Sequence, residues 1–148
     1  MPETHIHDLA RVIQLALAPA FLLTAVGSLL NVFANRLARI VDRYRLMHGL
    51  GPEAAEAAGD ERKVLERRAR LVRWAITFAT CAALLVSLVI GVSFLGFFLQ
   101  VNFARFVAVL FVTAMGALTL ALFFFLREVT VAIASVRPDA SGPGRSGG

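Results

Sequence analysis

Thr24, Ser28, Asn31 and Asn35 lie in or at the end of an apolar run and step by four, three and four, so they share one face of a helix. Hydroxyls and amides in this pattern do no acid–base chemistry by themselves. In hydrocarbon they must find a partner, so such a face points at protein or water rather than lipid. Interhelical hydrogen bonding, worth about 0.6 to 2 kcal/mol per contact, is one use. Lining a hydrated cavity or an oligomeric pore is the other. The same register reaches Asp42 and Arg45 beyond the run. No Asp, Glu or Lys falls deep within the apolar runs, which argues against a proton relay or an ion-coupled transporter.

Other chemistry is sparse. His5-Ile6-His7-Asp8, with Glu3, is the one potential metal cluster, but a fraying terminus is a poor ligand cage, and no metal site is expected. His48 reads as a solvated residue or a helix C-terminal cap rather than a catalyst. There is no phosphate-binding glycine loop and no Ser/His/Asp set outside the bilayer. Cys81 is the single cysteine, so no intramolecular disulfide can form; the expected role is a small apolar core residue. No catalytic residue and no cofactor is expected, and the chain is not read as an enzyme.

The elements that position these residues are long and apolar. The chain has 148 residues, 58% of them hydrophobic, and a mean hydropathy of +0.74. The apolar residues are pooled into three runs rather than dispersed as stripes. Each run exceeds the roughly 18 to 20 residues that cross a hydrocarbon core as a helix. Barrel strands would alternate apolar and polar residues, and these runs do not. The fold expected is therefore all-α, an integral membrane protein with three transmembrane helices over about 12–34, 75–99 and 106–126. Together they form a single domain over 1–136. Residues 137–148, rich in Gly, Pro and Ser, are expected to be disordered. Ala16-Leu17-Ala18 has a small-x-small look, but too short an apolar core precedes it for a cleaved signal peptide.

Charge sets the expected threading. Ten of the fifteen Lys and Arg residues fall between Arg36 and Arg73. The six acids there, Asp42, Glu53, Glu56, Asp60, Glu61 and Glu66, leave the segment at +4. Met1 to Arg11 and the link 100–105 each carry one cation. The positive-inside rule then puts the N-terminus outside, and the Arg-rich loop and the C-terminus in the cytoplasm. Nucleic-acid binding is not expected, although the net charge is +5. Trp74 beside Arg73 suits an interface.

The Arg-rich segment is more than a connector. Leu37, Ile40, Val41, Tyr44 and Met47 recur at helical spacing, as do Val64, Leu65, Leu71 and Val72. No helix breaker separates Asn31 from His48 or Asp60 from Thr77. The first two spans are therefore expected to extend into a cytoplasmic antiparallel helical hairpin over about 36–73. Its arms are about 13 and 14 residues, each roughly 20 Å. Gly49-Leu50-Gly51-Pro52 ends the first arm, Glu53 to Ala58 can form one helical turn, and the second arm starts near Asp60. A thin apolar seam favours packing against a third helix or another protomer. Arg36, Arg39, Arg43, Arg67, Arg70 and Arg73 are candidate contacts to anionic lipid headgroups or to a partner. Ridges of small residues, Ala16-Ala20-Thr24-Ser28, Ala83-Ser87-Gly91 and Gly116-Ala117, predict close helix packing within one chain or between chains. Pro19 is expected to kink the first span.

Pro19-Ala20-Phe21-Leu22-Leu23, then Asn35-Arg36-Leu37-Ala38-Arg39-Ile40-Val41-Asp42-Arg43-Tyr44-Arg45, resembles the opening of the bacterial family known as domain of unknown function 2721. Arg67-Arg68-Ala69-Arg70-Leu71-Val72-Arg73 and Leu126-Arg127-Glu128 are similar to it as well, so the resemblance covers about residues 9 to 134. It implies a small bacterial inner-membrane protein and carries over no activity. The residues and the resemblance together lead to two expectations. One is a non-enzymatic membrane protein that forms a homo-oligomer or supports a membrane-protein partner. The other is an oligomeric ion channel or pore lined by the polar face of the first helix.

Overall fold

The computed structural model describes residues 2–49 and 59–134. It holds three helices: α1 (Pro2–His48), α2 (Gly59–Leu99) and α3 (Ala104–Ala134). All three are long and apolar enough to cross a membrane. The N-terminal residues expected to fray form the first turns of α1, and the helix continues without a break past Pro19. The expectations for Glu53 to Ala58 and for the tail 137–148 lie outside the described residues. So do the side chains of His5, His7 and His48.

One sequence rule explains how the helices meet. On α2, Leu65, Val72, Ala79 and Val86 step by seven, and Ala75, Ala82 and Val89 step by seven beside them; all seven are buried. Alternating steps of three and four keep an apolar seam facing its neighbour, as in a coiled coil. On α1, Pro19, Val26, Phe33 and Ile40 are buried at the same interval. Leu22 and Leu29 pack beside them. On α3 the buried apolar positions are Ala114 and Ala121, again seven apart, with Leu118 and Phe125 flanking. Much of this core is alanine, which lets backbones approach closely in an environment that supplies no hydrophobic drive between helices. Phe33 is fully buried, its ring 4.7 Å from that of Phe125.

These seams correct one expectation and divide another. Cys81 is exposed, because it falls between Ala79 and Ala82 and points off the stripe. Of the small-residue ridges, Ala83 packs on the core, but Gly91 and Gly116 have open space where a Cβ would stand. Helix contact within the chain runs along the alanine positions instead.

The link between α2 and α3 is tight because its hydrogen bonds close it. Gln100 has a φ of 53°, a left-handed backbone that ends α2. The Val101 N–H donates to the Gly96 carbonyl at 3.1 Å, and the Gln100 N–H to the Phe97 carbonyl at 3.4 Å. Asn102 then caps α3, its side-chain oxygen accepting from the Ala104 N–H at 3.0 Å. Gly96 is needed for the close approach: a Cβ there would meet the Val101 carbonyl oxygen at 3.1 Å and the Phe103 ring at 3.2 Å.

Candidate functional site

The seam that carries Ala114 and Ala121 reaches Glu128 one heptad later, and Glu128 is completely buried. Leu22 and Leu29 lead in the same way to Arg36, and Ala75, read backwards, leads to Arg68. Three charged residues, one per helix, therefore occupy core positions of the same layer. The Arg68 Nε and Nη2 donate to Glu128 Oε1 at 3.1 and 3.0 Å. The Arg36 Nη1 donates to Oε2 at 3.0 Å. Both carboxylate oxygens are thus engaged, and no buried side-chain polar atom among the described residues lacks a partner. The Arg36 guanidinium also lies over the Phe125 ring, 5.3 Å from its centre, a cation–π contact.

Such a layer adds little net stability compared with a well-packed apolar one, but breaking it is costly. Removing one partner from a buried ion pair typically costs about 3–5 kcal/mol because a charge is left unmet. Its other use is to fix register, since the carboxylate meets both guanidiniums at only one alignment of the three helices. Glu128 and Arg68 were not among the candidate site residues. Glu128 stands beside Arg127 just past an apolar run, where an acid reads as solvated. The signal that could have found it is its spacing of seven and fourteen from two alanines.

Beyond this layer α1 and α2 pair through charge. The Arg43 Nε and Nη2 donate to Glu61 Oε1 at 3.0 and 2.9 Å. Arg62 donates to Tyr44 and to Glu66, at 3.1 and 3.2 Å. Those bonds, to Glu66 first and Tyr44 second, raise the pKa of this arginine above its ordinary value. Ile40 and Leu65 are buried between the helices. On one side of that pair is a groove of about 390 Å³ lined by Arg36, Arg39, Arg43 and Arg68. On the other is one of about 360 Å³ lined by Val41, Tyr44, Glu66, Ala69, Arg70 and Arg73. Arg67 is exposed and lines neither. The six candidate arginines are thus divided: three on one groove, two on the other and one outside both.

The polar face of α1 points away from all of this. Thr24, Ser28, Asn31 and Asn35 are exposed. They sit on a second heptad stripe, nearly opposite Val26, Phe33 and Ile40. Each hydroxyl donates to the carbonyl one turn back, Thr24 to Ala20 and Ser28 to Thr24, both at 3.2 Å. The Asn35 Nδ2 donates to the Asn31 Oδ1 at 3.3 Å. That leaves the Asn31 amide nitrogen and the Asn35 amide oxygen without a partner among the described residues.

At the opposite end of the bundle, Pro19, Val89, Val92, Phe97, Val107 and Phe111 line an apolar cavity of about 650 Å³. Its one hydroxyl, Ser93, donates to the Val89 carbonyl at 2.7 Å. The cavity therefore offers no hydroxyl proton to orient a ligand. Trp74 is half exposed, as suits an interfacial indole, and stacks on Phe124 with centroids 6.4 Å apart.

No curated protein and no solved structure matches the chain. A family model, "Protein of unknown function (DUF2721)", matches residues 16–138, which takes in α1 from Ala16 onward, α2 and α3, with the ionic layer and the exposed amide stripe. The chain belongs to the DUF2721 family.

Proposed function

We propose that this protein is a non-enzymatic membrane scaffold that self-associates along the outward stripe of α1, through Thr24, Ser28, Asn31 and Asn35. The observation that carries this reading is the exposure of two asparagines at the end of an apolar span, each with hydrogen-bonding capacity left over. An asparagine at a seam position is a known means of fixing register and oligomeric state between helices. The ionic layer supports the reading by making the three-helix unit self-contained, so the stripe is free for a second chain. The resemblance implies a bacterial inner membrane, and the Arg bias around Arg36 to Arg73 favours the N-terminus outside and a helical hairpin in the cytoplasm.

The test is oxidative crosslinking of Ser28→Cys in a Cys81→Ala background, in native-like lipid, with native mass measurement alongside. A linked dimer or larger assembly is expected, weakened by Asn31→Leu. A strictly monomeric species sinks the reading. If three or more copies meet on this stripe, its hydroxyls and amides line a central axis continuous with Asp42 and Arg45, and the assembly becomes a pore. Ion flux lost in Asn31→Leu supports that second reading; no flux, or flux indifferent to the substitution, removes it.

A further inference from the structure

We infer that the groove between α1 and α2 lined by Arg36, Arg39, Arg43 and Arg68 is a binding site for the phosphate of an anionic lipid headgroup. The groove is complete within one chain, so the inference does not depend on self-association. Four guanidiniums surround about 390 Å³, and Ile40 and Leu65 form the apolar remainder of the lining. Glu128 offsets one of the four cations and Glu61 another, which leaves the groove at +2.

The donors are partly fixed and partly free. Glu128 holds Arg36 and Arg68 in place but uses only Nη1 of the first and Nε and Nη2 of the second. Arg36 keeps Nε and Nη2, and Arg68 keeps Nη1. Arg39 has no ion pair among the described residues. Planar guanidinium forks match phosphate oxygens better than ammonium groups do, and donors already held in position lose less entropy on binding. A lipid is favoured over free phosphate by position. The groove begins where the apolar span of α1 gives way to its first arginine, the level at which a span filling the hydrocarbon core would meet headgroup phosphates, and its apolar lining continues the buried seam of the spans.

The full-length chain can be released from nanodiscs containing equal phosphatidylglycerol and phosphatidylcholine, and the retained lipid identified by native mass spectrometry. Phosphatidylglycerol should be retained preferentially. Arg39→Gln should reduce that preference on the order of fivefold, and Arg39→Gln with Arg43→Gln more. Arg67→Gln, which removes the same charge from the same helix pair outside the groove, should leave it unchanged. Both Arg39 and Arg67 are exposed, so neither change threatens the fold. Absence of preference, equal loss in Arg67→Gln, or displacement of the lipid by millimolar inorganic phosphate would each overturn the proposal.

Discussion

The molecule treats polar groups near a bilayer in two ways. Glu128 has its two oxygens taken up by guanidiniums from both other helices and is wholly buried. Asn31 and Asn35 bond only to each other and stay exposed. The first arrangement closes a unit; the second leaves it open. A polar side chain in this setting is thus either satisfied inside the three-helix unit or left on its outside, and the seam it sits on decides which.

Changes at the ionic layer should have the largest effect. Glu128→Ala leaves two guanidiniums without their carboxylate and should cost about 3 kcal/mol, the low end for a buried pair because both keep partial access to solvent, read as reversible unfolding in bicelles. Replacing Glu128, Arg36 and Arg68 together by leucine should recover most of that loss; failure to recover would mean the layer does more than neutralise itself. Steric change comes next. Ala79→Leu should cost about 1–3 kcal/mol because the seam has no room. Ser28→Leu, on the outward stripe, should leave unfolding untouched and weaken only association. Asn31→Leu should reduce association by about 0.6–2 kcal/mol without changing monomer stability, measured by dilution in lipid. If it destabilises the monomer instead, the contrast between the two stripes fails. The smallest effect should be at Arg43→Gln, whose partner is also exposed: at most about 1 kcal/mol in the same unfolding assay.

The legibility of the sequence follows the same division. The three apolar runs and the shared polar face of α1 could be read directly, because composition and local spacing carry them; the direction in which that face points could not. The ionic layer could not, because it depends on which of several arginines lands on a core position. Arg68 sits among Arg67, Arg70 and Arg73, and nothing local distinguishes it. Only its place seven before Ala75 does, and that matters only once the α2 seam is known. Cys81 was misplaced for the same reason: apolar surroundings do not reveal which side of a helix faces a neighbour. The division of the arginines between two grooves depends on the rotation of α1 against α2, which Ile40 and Leu65 set.

The order of the three charges along the chain has a consequence for biogenesis. Arg36 and Arg68 are synthesised first, and Glu128 emerges last. Until the third helix arrives, the first two present guanidiniums to each other with no carboxylate between them, and like charges hold that layer apart. The final segment then supplies the counter-charge that lets all three align. A chain halted before Glu128 would leave a pair of helices that repel at one layer.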